Sequence, residues 1–216
     1  MPRSSTPAAL LDAAEKLFAE NAISAVSDRR VAEAAGNANN SAVKYHFGGR
    51  DGLLRALIER HVTALEGPRE RLHLTSRTLL GDVRSLVIPV TTSLAALPQP
   101  TYRARFLARA LVEPGPSDLY REVGPHAPVA TRLLESITAR VPHLDRTTLT
   151  ARARQMTRVV SFTCADVEAE SHREGTTPDW PAVGTLLADT IAGMLSAPTS
   201  RADSYPSPDE QAEPVP

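Results

Sequence analysis

The segment Ser27–Arg50, SDRRVAEAAGNANNSAVKYHFGGR, constrains the fold of this chain more than any other stretch. Ser27 can cap a helix that runs to about Ala35, with Val31, Ala34 and Ala35 turned inward. Gly36 is a good residue to end it, because it takes positive φ without a Cβ penalty. Asn37, Asn39 and Asn40 then cluster, and asparagine disfavours helix interiors but caps helix starts. A further short helix, roughly Asn40 to His46, is broken by Gly48-Gly49. Helices of about two turns bury too little to be stable alone. A pair of them wedged between longer helices is how a helix-turn-helix reader of DNA is built.

The flanks supply those longer helices. Thr6-Pro7 gives an N-cap and a first-turn proline, and Leu10, Leu11, Ala14, Leu17 and Phe18 follow as one apolar stripe that Asn21 closes. Ile23 and Val26 anchor a short loop. A fourth helix starts near Arg50, with Asp51 in its first turn and a stripe of Leu53, Leu54, Leu57, Ile58, Val62 and Leu65. Gly67-Pro68 should stop or kink it, and is a candidate domain boundary. Further helices are expected over 69–80, 81–97 with a kink at Pro89, 100–113, 117–140 split around Gly124-Pro125, 145–174 and 179–196. No run has the period-2 alternation of a strand, and no internal repeat is visible. The expected class is all-α: an N-terminal three-helix domain with a helix-turn-helix over 1–49, a larger helical domain over 50–197, and a disordered Pro-rich tail over 198–216.

Composition narrows the function. Aromatics make up only 4% of 216 residues, so the core must come from Ala, Leu, Val and Ile, which favours close helix packing. The net charge is −1, and residues 1–66 hold eight basic and eight acidic side chains. A DNA-facing surface must therefore arise by segregating charge, without an excess. The single Cys164 excludes an intrachain disulfide and any CxxC metal site. The N-terminus is no secretory signal, and no stretch approaches the ~18 apolar residues of a membrane span, so a soluble, cytoplasmic protein is expected.

Residues 7–60, through LDAAEKLFAENAISAVSDRRVAEAAG, SAVKYHF and RDGLLRAL, resemble the TetR family of bacterial transcriptional regulators. The resemblance implies that the third helix enters the major groove and the second crosses behind it. Arg29 then matches a position that reaches a base or phosphate, and Asn40, Ser41 and Ala42 match the base-facing start of the recognition helix. Lys44 stands where the family usually has a phosphate-contacting tyrosine; Tyr45 follows, His46 matches a common phosphate-contacting histidine, and Arg50 a basic residue that grips phosphate. The turn before the third helix is one residue longer than usual, which lets Asn39 and Asn40 exchange roles. Asn39 is read either as a helix cap or as a base reader, and Tyr45 either as core edge or as a phosphate hydroxyl. The resemblance also implies a small-molecule effector, of identity unknown, in the second domain, and a homodimer through the last two helices. Leu186, Leu187, Ile191, Met194 and Leu195 would be its apolar face.

Plainer readings cover the rest. Phe47 reads as packing, Trp180 and Phe162 as packing in preference to a ligand cage, Cys164 as a small buried hydrophobe, and Arg103, Arg105 and Arg109 as a surface stripe in preference to a site for an anionic effector. His143-x-Asp145 and His172-x-Glu174 are too sparse for a metal site, and no cofactor is expected. The leading reading is a repressor released from a palindromic operator in double-stranded DNA by the effector. The alternatives are a regulator-like protein acting through protein partners, and a helical enzyme, for which no nucleotide, nucleophile-elbow or zinc motif is present.

Overall fold

The computed structural model describes residues 6–37, 39, 41–123 and 127–199, and among them helix is the only regular element. Asn40, and residues 200–216 of the expected tail, lie outside the described residues. The order is α1 (Pro7–Glu20), a 3-10 turn (Ile23–Ala25), α2 (Asp28–Ala34), α3 (Ala42–Phe47), α4 (Arg50–His73) and α5 (Leu79–Ala95). Then come α6 (Arg103–Val112), α7 (Pro116–Val123), α8 (Pro128–Arg140), α9 (Arg146–Glu174) and α10 (Trp180–Ser196).

The helix starts follow local chemistry. Thr6 Oγ1 accepts from the Ala9 amide at 3.3 Å, Ser27 Oγ from Arg30 at 3.2 Å, and an Asp145 carboxylate oxygen from Thr148 at 2.8 Å. Each satisfies one of the amides a helix leaves open. The expected stop at Gly67-Pro68 does not occur. α4 continues to His73 and absorbs the start of the helix expected over 69–80; residues 74–78 form the joint to α5. Leu65 and Arg69, on either side of the proline, are both buried, and that packing outweighs one missing amide.

Two apolar clusters organise the chain. The first joins α1, α2, α3 and the first half of α4 to Phe106, Leu107 and Ala110 of α6 and Leu119 of α7. The second centres on α5, α9 and α10, with Trp180 among its buried members. Phe162, expected as packing, is 40% exposed on α9. The expected outer stripe of α10 is also redistributed: Leu187, Ile191 and Leu195 are buried in the second cluster, where α10 packs along α5, while Leu186 is 64% exposed. Periodicity marks an apolar stripe but cannot say which neighbour covers it.

Arg103 and Arg105 of α6 tie it to other helices, whereas Arg109 pairs within reach of its own helix end, with Glu113 at 3.8 Å. Arg103 meets Glu15 of α1 at 3.2 Å, and Arg105 meets the buried Glu168 of α9 at 3.2 Å. Glu168 also accepts from the Ala104 and Arg105 amides, so one carboxylate of α9 caps the start of α6. A second buried tie joins α5 to α8: Asp82 is wholly buried and accepts from Ser76 and Ser136 at 2.6 Å each and from Arg140 Nε at 2.7 Å.

Burial alone would raise the Asp82 pKa, but the hydrogen bonds from Ser136, Ser76 and Arg140 outweigh it and hold the carboxyl below its ordinary 3.8. A carboxyl lowered in the folded state stabilises the fold above its unfolded value, and that contribution is lost as pH falls through the folded one. Asp82→Asn should therefore lose about 2 kcal/mol of stability at neutral pH. In thermal unfolding the variant and the parent should converge as pH is taken well below 3.8.

Candidate nucleic-acid interface and the cavity behind it

The helix-turn-helix unit is built from α2, seven residues long, and α3, six residues long. The turn between them is held from within. The Gly36 amide donates to Glu33 O at 3.0 Å and the Asn37 amide to Ala32 O at 2.9 Å, a Schellman-type end to α2. Asn37 Oδ1 then accepts from the Asn39 amide at 2.9 Å, and Asn39 Oδ1 from the Ser41 amide at 3.0 Å. The Asn39 bond is an Asx turn just ahead of α3, whose N-cap position is Ser41. The side-chain oxygen of Asn39 is spent there, whereas Ser41 makes no side-chain capping bond.

Arg50 differs from its expected role. Its guanidinium points inward, donating to the carbonyls of Ile23 and Val26, and stands 3.6 Å from Asp28 and 5.4 Å from the centre of the Phe18 ring. It braces the start of α4 against the joint between α1 and α2 and is not a free phosphate clamp. Gly52, which the motif reading passed over, fixes the other contact of α4. A Cβ there would collide with the Phe47 carbonyl oxygen, so α3 ends directly against the first turn of α4. A glycine inside an otherwise good helix is the sequence signal for such close approach.

The outer surface of this unit carries Arg29, Arg30, Ser41, Lys44 and Tyr45, all exposed, with Tyr45 81% exposed. His46 is half-buried and meets the Tyr45 ring edge-on at 4.9 Å, while Phe47 packs against the first cluster. Arg29 pairs with Glu33 at 2.7 Å across the helix surface. Arg30 and Lys44 have no ion pair among the described residues. Meanwhile Asp12 and Glu15 are taken up by Arg60, at 2.6 Å each, and Asp28 faces Arg50. A domain with balanced charge thus shows cations on the surface of α2 and α3 and buries or pairs several of its acids elsewhere.

Behind this unit lies a cavity of about 350 Å³, lined from α4, α5, α6, α8 and α9 and by Ala127 just ahead of α8. Its wall is mostly aliphatic, with Val62, Leu65, Leu86, Val90, Met156 and Val160 among the lining residues. His61 and Arg69 of α4 are also in the wall, and both are buried. Burial above all, then the charges of Arg103 and Arg69, lowers the His61 pKa to about 3. Cys164 lines the same space, and burial, reinforced by Glu168, pushes its thiol up to about 12, so it is an unreactive part of the wall. Among the described residues no group of three His, Cys, Asp or Glu could hold a metal ion, and no helix is long and apolar enough to cross a membrane.

Arg50→Met removes the brace and should cost about 2–3 kcal/mol in thermal unfolding. An unchanged Tm would mean that the guanidinium is not bonded to those carbonyls in solution. His61 gives a pH test. Its imidazole charges below 6.5 in the unfolded chain but only near 3 in the folded one, so stability must fall as pH drops through that window. The slope reaches at most ~1.4 kcal/mol per pH unit. Subtracting the profile of His61→Leu isolates the effect, and identical profiles would place the imidazole in water.

Residues 10–57 match the sequence profile of the family described as bacterial regulatory proteins, tetR family. No curated protein sequence gives a significant match to the chain. Among solved structures, a transcriptional regulator from Rhodococcus sp. Rha1 is similar at 19% identity, covering 88% of this chain and 95% of that one, with a TM-score of 0.49. The TetR family repressor AlkX from Dietzia sp. strain DQ12-45-1b is similar at 18% identity over the same shares, with a TM-score of 0.40. The match falls on the helix-turn-helix unit and its two supporting helices. Residues 10–57 thus form an N-terminal domain similar to that of bacterial regulatory proteins of the tetR family, set on an all-helical fold.

Proposed function

We propose that the protein is a homodimeric repressor, acting in the cytoplasm, that reads a palindromic operator with α3 and leaves it when a small molecule enters the cavity. The observation that carries the reading is the exposure of Lys44 and Tyr45 on a six-residue helix braced by α4. A helix so short and so well supported, with large side chains left in water, suits a surface completed by a partner.

In this reading Lys44, His46 and the Tyr45 hydroxyl contact phosphates, while Ser41 and Asn40, the latter outside the described residues, face base edges. Arg29 joins them once it releases Glu33, and exposed pairs of this kind hold only weakly. Asn39 shapes the start of α3, and Arg50 holds the unit in position. Two copies of α3 would lie about one DNA turn apart, ~34–36 Å. The dimer is assigned to the outward faces of α9 and α10, where Phe162 and Leu186 remain exposed. The cavity supports the effector part: its volume falls in the usual range for small-molecule sites, and the helix that carries its polar end also carries the reader.

Selection from a random duplex library at near-physiological salt tests the core of the reading. Two inverted half-sites would support it; no enrichment would favour the alternative of a protein that acts through protein partners. On the selected site, Lys44→Ala should weaken binding to all sequences and flatten the salt dependence by about two counterions per dimer. Arg50→Met should weaken binding with that slope unchanged, because it makes no phosphate contact in this arrangement.

A further inference from the structure

We infer that the cavity takes an amphiphile, an apolar body ending in a carboxylate, whose head is held by the imidazole of His61 beside Arg69. This rests on reading the cavity as the effector site. The apolar body follows from the wall, where Leu65, Leu86, Val90, Leu94, Met156 and Val160 come from three helices. The hydroxyls of Thr131 and Thr157 add no donor, since each donates to its own helix, to Ala127 O and Ala153 O at 3.2 Å.

His61 is the polar group that the wall accounts for least. His61 is 5% exposed, lines the cavity, and its Nδ1 has no hydrogen-bond partner. It occupies the apolar stripe of α4 midway between Leu57 and Leu65, four residues from each, where any aliphatic residue would fill the space without a polar cost. A ligand head that bonds Nδ1 removes that cost.

The sign of the head follows from the charges around it. Arg69 and Arg103 both act on the His61 ring and disfavour a positive charge there. The nearby carboxylates are committed elsewhere. Glu66 accepts from the Val129 and Ala130 amides at 2.6 and 3.4 Å and is 3.7 Å from Arg69. Glu15 meets Arg103 and Arg60, and Glu168 caps α6. An ammonium head would be repelled, a hydroxyl would gain one hydrogen bond, and a carboxylate would gain that bond together with the field of the guanidinium groups. A neutral imidazole serves this purpose, because it can carry its proton on Nδ1 and donate it.

The test is calorimetric titration of the full-length protein with decanoate, decan-1-ol and decylamine, each below its aggregation concentration. Decanoate should bind once per chain, roughly tenfold tighter than the alcohol, with the amine weakest. His61→Phe, and as a polar control His61→Gln, should reduce the preference for the acid over the alcohol. The series of head groups on the parent protein stands even if a variant fails to fold. Equal binding of acid and alcohol, or a preference that survives in His61→Phe, overturns the assignment. The effector reading fails separately: head-indifferent ligands that still release DNA would sink only the carboxylate, whereas tight decanoate binding that leaves the DNA complex intact would sink only the release. Absence of binding by all three overturns the inference.

Discussion

α4 belongs to two interiors at once, and the rest of the molecule depends on that sharing. Its 24 residues make a rod of ~36 Å. Leu53, Leu54, Leu57 and Ile58 are core for the helix-turn-helix unit, and within one further turn His61, Val62, Leu65 and Arg69 begin to line the cavity. Neither α2 nor α3 could hold its shape without the first half of this rod. The cavity would lack its polar end without the second. A helix moves largely as one body, so a shift of the cavity wall is also a shift of the surface against which α3 is seated. A ligand exploits this only if it binds the two positions of α4 unequally.

The electrostatics show the same division of labour. The acids of the N-terminal region are drawn inward as connectors: Glu15 between Arg60 and Arg103, Asp28 towards Arg50, and Glu113 of the α6 end onto the Ile23 amide. These contacts fix the angle at which the small unit sits on the larger body. They also leave exposed cations on α2 and α3 in a chain whose overall charge gives no hint of them. Segregation is done by pairing, and pairing is a property of the fold.

The features written into short windows of sequence were legible. Thr6 and Ser27 cap the helices they precede, Gly36 ends α2, and α7 stops at Val123 before α8 begins at Pro128. The features decided by distant neighbours were not. Arg50 reads as a surface cation until the carbonyls of Ile23 and Val26 are placed beside it. Leu187, Ile191 and Leu195 read as an outer stripe until α5 covers them. Gly67-Pro68 reads as a stop until the burial of Leu65 and Arg69 carries the helix through. His61 carries no local signal within the apolar stripe of α4, because its role depends on the cavity it lines.

The seam between α1 and α6 has a consequence for engineering. Phe18 meets Phe106 with ring centres 6.0 Å apart, and Glu15 meets Arg103 beside them. A hybrid regulator made by cutting the chain at the start of α4 would transplant only one half of that seam. The recipient would confront a foreign α1 with an orphaned guanidinium and an ill-fitting ring. To give this reading head to another body, the α6 positions that touch it must travel with it, although some fifty residues of unrelated chain separate them from the nominal cut.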